Sequence, residues 1–394
     1  MKKQQTTPEM KSLSKIFSIN YNYYHDNSKV ELYSGDSKKY IREYFTEGGK
    51  DDVASFIDTI NIDPMRFDHM RSVYNIGVWL YDSCDILRKH INDELKKTNQ
   101  DLRLEFLYRW YLTCLFHDIG YCYERDPSPP QDFNNLQTKI NNGLKGYDLI
   151  FSCNNYIPQE YQDSFLKYYQ YTQMRRKNKN PNIRSIDHGI SSAIKLYDFL
   201  QGLHCGETHP EPSNLRWGPE ILKSSVVPAV WYILAHNIWP AVKHTDRAKR
   251  YKDKGLSNLI QRYGRSFIKF NQHPVLFLLC FIDTVEPIKL LQQKDNLSII
   301  QCLESVKMAV DHNCIHIGFN AKEICPDSCL ASKFHDYYLA AIVKNLNFLV
   351  CGNFKIADGD NEIVCFLNEE KSKDTSQDSQ QEQENSNLVE DADV

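Results

Sequence analysis

The sequence predicts a mainly α protein with a small C-terminal α/β extension. Two observations carry this. Apolar residues recur near the 3.6-residue helical period through several segments bounded by proline or glycine. Strand-like segments and a turn-bounded hairpin occur only between Cys314 and Leu367.

Taken in order, residues 1–12 read as a loose polar arm, and 38–60 as one or two short helices with Tyr40, Ile41, Phe45, Val53, Phe56 and Ile57 as apolar positions. Pro64 opens a helix through His69, Val73, Ile76 and Leu80. Arg103–Gly120 forms another, with Leu104, Leu107, Tyr111, Leu112, Leu115 and Phe116 apolar and Gly120 as its stop. Asp126-Pro127-Ser128-Pro129-Pro130 breaks structure and begins an insertion, 126–186, rich in Tyr and Asn, whose short helices could act as a lid over a site. Asp187 can cap a helix bearing His188, Ile190, Ala193, Ile194, Tyr197 and Leu200. Val226–Ile238 is apolar and ended by Pro240; Val275–Thr284 is begun by Pro274 and stopped near Pro287. Cys314–Phe319 reads as a strand and Ala331–Asn345 as a helix. Phe348–Ile356 with Glu362–Leu367 reads as a hairpin about Asp358-Gly359-Asp360-Asn361. Residues 369–394 are polar and acidic, the composition of a disordered tail. The expected division is 1–60 arm and short helices, 61–300 helical domain, 301–368 α/β extension, 369–394 tail.

The chain has 394 residues, enough for one large domain or two modest ones. With 41% hydrophobic and 25% charged residues it has the composition of a soluble globular protein. Net charge is −4, which gives no electrostatic case for nucleic acid or an acidic membrane as partner. Twelve cysteines lack framework spacing, and several, such as Cys114, Cys280 and Cys351, sit in apolar runs; this fits reduced thiols and a cytoplasmic location. No apolar run reaches membrane-spanning length, and no signal core follows the basic start.

The chemistry lies in an ordered set: His69, the pair His117–Asp118, His188, His236 and Asp283. Imidazole and carboxylate are ligands for divalent metals. Four histidines and two aspartates exceed what one tetrahedral ion takes and suggest two ions sharing a carboxylate. His25–Asp26 and His335–Asp336 are pairs of the same kind; His117–Asp118 differs in ending a long apolar helix with ordered partners on both sides. Asp283 stands in a strongly apolar helix, where an unpaired carboxylate would be costly. Basic residues flank the set: Arg175, Arg176, Lys177 and Arg184 before His188, and Lys243 with the run to Lys269 after His236. Arg184, four residues before a ligand, is the first candidate for a phosphate contact, followed by Arg175, Arg176 and Lys243. For most of the lysines a solvated charged face is the simpler reading. Cys325 and Cys329 with His312, Cys314 and His316 form an irregularly spaced zinc-like group, as do His204, Cys205 and His209.

The segments Leu115-Phe116-His117-Asp118-Ile119-Gly120, Asp187-His188-Gly189-Ile190-Ser191-Ser192-Ala193, Ala235-His236-Asn237-Ile238-Trp239 and Phe281-Ile282-Asp283-Thr284-Val285-Glu286-Pro287 resemble the HD-domain superfamily of metal-dependent phosphohydrolases across about residues 60–290. The resemblance implies an HD-domain helical bundle. It implies one metal on His69, His117, Asp118 and Asp283, and a second on His188 and His236 with Asp118 bridging. It further implies two divalent ions (Mn, Fe, Ni, Zn or Mg) and water-driven hydrolysis of a nucleotide or small phosphate ester, with Asp118 and His117 at the reacting centre. No Gly-Tyr-Pro follows His188, which disfavours the cyclic-dinucleotide branch. The alternatives are a one-metal deoxynucleotide triphosphohydrolase, a non-hydrolysing nucleotide sensor and an interaction scaffold. Homo-oligomerisation stays open.

Overall fold

The computed structural model describes residues 9–19, 37–47, 51–60, 62–95, 102–124, 133–141, 165–179, 184–205, 225–241, 243–260, 268, 270–289, 291, 297–320, 328–350, 354–357 and 362–367. In chain order these form β1 (Lys11–Ser12), α1 (Leu13–Phe17), α2 (Ser37–Glu47), α3 (Asp51–Thr59), α4 (Pro64–Ser83), α5 (Asp85–Leu95), α6 (Leu102–Phe116) and α7 (Tyr121–Glu124). There follow α8 (Phe133–Asn141), α9 (Phe165–Lys179), α10 (His188–Cys205), α11 (Val227–His236), α12 (Asp246–Asp253) and α13 (Pro274–Val285). The chain continues with α14 (Ile299–Glu304), β2 (Val306–Asp311), β3 (Cys314–Phe319), α15 (Ser328–Leu349), β4 (Phe354–Ala357) and β5 (Glu362–Phe366). The protein is mainly helical, with a small antiparallel sheet, as its periodicity predicts.

Helices α4, α6, α11 and α13 pack in a closed circuit, each against the next. All four are buried on nearly every face, so their sequences read as apolar runs rather than amphipathic stripes. Their starts are chemically marked. Asp63 accepts from the Met65 amide at 3.0 Å and Pro64 takes the first helical position; Pro274 takes the first position of α13 and Pro228 the second of α11, without a side-chain cap. Trp110 donates its indole N–H to the Tyr74 carbonyl, 3.1 Å, locking α6 to α4. At the start of α14 Ser298 and Gln301 form a reciprocal capping box, legible as Ser-x-x-Gln.

The sheet runs β1-β2-β3-β5-β4, all antiparallel. The loose arm expected at 1–12 differs at its end: Lys11 and Ser12 pair with Met308 and Lys307, adding an edge strand from the far end of the chain. Strand β2 carries little period-two signal, because Met308 and Ala309 are both buried and adjacent. Helix α15 runs on through Leu349, taking the first residues of the expected hairpin, so β4 begins only at Phe354. The spacer Asp358–Asn361, the Pro-rich stretch 126–130, the pair His25–Asp26, Cys325, His209 and the tail 369–394 lie outside the described residues. A chain ending after Leu367 keeps every described strand of the sheet, and it is expected to melt at the temperature of the full chain in a side-by-side thermal unfolding assay. A large fall would give the tail a role.

No described helix is long and apolar enough to cross a membrane. Cys114 and Cys280 are buried free thiols.

One buried charge stands apart. Arg71 on α4 is 1% exposed, with its guanidinium carbon 4.5 Å from the Phe17 ring centre and 4.3 Å from that of Tyr40. None of its three nitrogens has a hydrogen-bond partner. Two such rings contribute about 0.5–2 kcal/mol each. Burying an ion costs several kcal/mol, which these rings and the charge of Asp68 on the same helix offset in part.

Candidate metal centre

The six predicted ligands converge. His69 lies in the second turn of α4, His117 and Asp118 directly follow α6, His188 opens α10, His236 closes α11 and Asp283 is near the end of α13. Helix α6 ends at Phe116, four residues before the stop expected at Gly120; residues 117–120 form a turn. Helical geometry would have pointed the adjacent His117 and Asp118 about 100° apart. The turn removes that constraint, and the His117 Nε2 stands 3.4 Å from Asp118 Oδ1.

Each imidazole is held by Nδ1. His117 donates to the Cys114 carbonyl at 2.6 Å and His236 to the Ile233 carbonyl at 2.5 Å. His69 Nδ1 meets Glu286 at 2.6 Å and His188 Nδ1 meets Glu124 at 2.5 Å. Such contacts fix the tautomer and leave Nε2 as the ligand atom. The Nε2 atoms gather around the aspartates. His69 Nε2 is 3.3 Å from His117 Nε2, 3.6 Å from Asp118 and 3.1 Å from Asp283; His188 Nε2 is 3.8 Å from Asp118. The His236 ring packs 5.4 Å from His117 and 5.3 Å from His188, centre to centre.

Two buried groups result, each with ligand atoms within 4.8 Å of one another: His69–His117–Asp118 and Asp118–His188–His236. Either could hold a metal ion. Ligand atoms about 2.1 Å from one ion stand roughly 3.0–3.4 Å apart in octahedral or tetrahedral geometry, near the separations found. Asp118 Oδ1 and His236 Nε2 are buried without hydrogen-bond partners, as donor atoms kept for a cation would be. The residues therefore fit a metal.

Arg66 and Lys289 supply positive charge to the same carboxylates. Arg66 donates to Asp118 Oδ2 at 2.9 Å; Lys289 Nζ is 3.1 Å from Asp283 and 3.5 Å from Asp118. Burial alone would raise both carboxyls. Lys289, with His117 and His69 among others, instead holds Asp118 and Asp283 well below the usual range. Burial would lower His69, but the Glu286 charge and bonds to Asp283 and Glu286 outweigh it and raise His69 to about 9. Burial takes His188 down to about 4 and, with the neighbouring His188 and His117, takes His236 to about 3. These last two imidazoles are neutral at pH 7, as ligation requires.

No family model, curated protein or solved structure matches this chain.

Several polar contacts escape sequence reasoning. Glu286 and Glu124 anchor His69 and His188; Arg66 stacks on Tyr121 at 3.7 Å, and Tyr121 stacks on His188 at 4.0 Å. Glu286 stands three residues after Asp283, a spacing that could have flagged it. Asp187 caps α10 as expected, accepting from the Gly189 and Ile190 amides at 3.0 and 3.3 Å. Its other oxygen takes the Asn237 amide at 2.7 Å. Of the predicted phosphate contacts, Arg176 on α9 binds Glu124, so one helix of the insertion braces His188. Arg175 is half-buried on the same helix. Arg184 is exposed in a segment without regular secondary structure and Lys243 is exposed in a turn. Helix α12 exposes Lys249, Arg250 and Lys252, the solvated face that the basic run suggested. His316 pairs with Glu362 at 2.6 Å within the sheet, and His312 is exposed in the β2–β3 turn.

Glu124→Gln keeps the size of the side chain but removes its charge from His188. It is expected to weaken metal binding at His188 and His236 about ten- to hundredfold, measured by competition with a chelating dye. Unchanged affinity would show that His188 is oriented by other contacts.

Proposed function

We propose that this protein is an HD-type metal-dependent phosphohydrolase that cleaves a nucleotide or related small phosphate ester with water. One observation carries the reading: a single buried carboxylate, Asp118, is shared by two histidine pairs. A bridging acid between two ions about 3.5–4 Å apart is the arrangement that clamps both the attacking and the leaving oxygen at phosphorus. Divalent ions held there would acidify water and neutralise phosphoryl oxygens.

The chain's own residues do the rest. Glu286 and Glu124 orient the imidazoles of His69 and His188. With divalent ions held by the Asp118 and Asp283 carboxylates, the Arg66 and Lys289 charges beside them would be available to phosphoryl oxygens. Arg66 is suited to this, since stacking on Tyr121 fixes the plane of its fork. Lys289 Nζ carries protons and can hydrogen-bond a phosphoryl or leaving-group oxygen. This gives Arg66 and Lys289 the contact role that the sequence suggested for Arg184.

The test is elemental analysis of the purified protein beside a phosphate-release panel of nucleotides and phosphodiesters. Two ions per chain and release from at least one substrate support the proposal. One ion with triphosphate release favours the one-metal alternative. Nucleotide binding without release makes the protein a sensor, and neither metal nor binding leaves a scaffold.

A further inference from the structure

We infer that this site takes a terminal phosphoryl group, one joined to the rest of its molecule by a single link, in preference to an internal phosphodiester. The inference rests on the phosphohydrolase reading above and adds to it the class of substrate. What selects the class is the pair Arg66 and Lys289.

The centre is closed on most sides. The side chains of His69, His117 and Asp118 are wholly buried, and that of His188 is 6% exposed. Lys289, Asp283 and Arg66 reach solvent further, at 18, 14 and 10%, and Tyr121 is half-buried beside them. A substrate therefore meets two cations on its way to the ligands. Both lie against one atom: Asp118 Oδ2 has Arg66 Nη1 at 2.9 Å and Lys289 Nζ at 3.5 Å. The pair thus already holds a single anionic oxygen. Tyr121 offers no open face to a nucleobase, because Arg66 lies over its ring at 3.7 Å and the His188 ring stacks on it at 4.0 Å. Recognition at this mouth falls on the phosphoryl group.

Charge and oxygen count then select the class. Ions bound by Asp118 and Asp283 would use the two carboxylates that Arg66 and Lys289 now face. Arg66 cannot shed its charge, and a largely buried cation left without an anion is strongly destabilising. A phosphodiester brings one negative charge and two free oxygens, and a dinuclear centre uses those oxygens for its own contacts. A terminal phosphoryl group brings close to two negative charges at pH 7 and three free oxygens. Its third oxygen can lie between the guanidinium and the ammonium, as Asp118 Oδ2 does now. An ammonium offers three donors and a guanidinium five, so the two can share that oxygen.

The experiment measures binding rather than turnover. Phenylphosphonate has three phosphoryl oxygens and methylphenylphosphinate has two. Their other links from phosphorus are all to carbon, so hydrolysis cleaves neither. Each is titrated calorimetrically, at mildly alkaline pH, into the purified full chain of measured metal content. The phosphonate is expected to bind roughly tenfold more tightly or better. Arg66→Gln and Lys289→Met are each expected to weaken the phosphonate about ten- to a hundredfold and to change phosphinate binding less than about twofold. Equal affinity for the two ligands, no binding of either, or an equal loss of both in the variants overturns the inference. Should a variant lose its metal or fail to fold, the wild-type ratio decides. The two readings fail separately. A phosphate-release panel in which diesters turn over faster overturns the terminal-phosphoryl class and leaves a hydrolase. Selective phosphonate binding with no release from any substrate keeps the class and makes the protein a sensor.

Discussion

Asp118→Ala is expected to reduce phosphate release to background and to strip the purified protein of divalent metal. The carboxylate belongs to both histidine groups, so its loss removes a ligand from each at once. No other single ligand does this: His188→Ala should empty one group and spare the other. The side chain is fully buried, and its removal also leaves Arg66 without its acceptor at 2.9 Å. Arg66 keeps Tyr121 as a partner, but breaking a buried ion pair costs on the order of 3–5 kcal/mol, so the melting temperature should fall as well. Asp118→Asn separates the effects. It preserves shape and an acceptor for Arg66 but is a poor bridging ligand, so activity should vanish while melting changes little. Full turnover in either variant would remove the bridging role and the dinuclear reading with it.

Gly120→Ala is expected to be nearly as damaging, for a reason of space. A Cβ at this position would stand 2.2 Å from the His188 carbonyl oxygen, 2.1 Å from Ser191 Oγ and 2.8 Å from Ser192 Oγ. The serines could rotate; a backbone carbonyl cannot. The Gly120 amide also donates to Ser192 Oγ at 2.7 Å, and Ser192 donates to the His117 carbonyl at 3.0 Å, so α10 is bonded directly to the turn that holds the ligand pair. A methyl group there must push the start of α10 away and carry His188 with it. Overpacking of this kind costs about 1–3 kcal/mol. The measurable outcome is a melting temperature several degrees lower, with metal lost first from the His188–His236 group. A variant that melts normally and retains full metal would mean that α10 does not seat on this turn.

How much of this was legible from residues alone depends on the kind of signal. The four central helices are dense in apolar residues and three of them carry a proline in the first turn, both local properties, so their places are legible to within a few residues. Ser191 and Ser192 are small enough to let helices approach closely, and they are the ones meeting Gly120. The order of the six ligands was visible because imidazole and carboxylate are rare in apolar helices. Arg66, Lys289, Glu124 and Glu286 were not visible as partners. In a sequence, a charge on a buried helix looks the same as a charge on a wet one. Arg184 is favoured by its nearness to His188 along the chain, yet it is exposed to solvent, while Arg66 approaches Asp118 from α4. Strand β1 was missed because two residues carry no period of their own; only an edge of β2 waiting to be paired makes them a strand.

The sequence by itself determined the helical class, the helix starts and the ligand types, since these follow from side-chain chemistry and from periods of a few residues. Only the tertiary structure decided that α6 stops at Phe116, that Asp118 is the shared acid, and that the Arg71 guanidinium is enclosed without a hydrogen-bond partner. These depend on which helix ends abut, and that is fixed by packing among residues far apart in the chain.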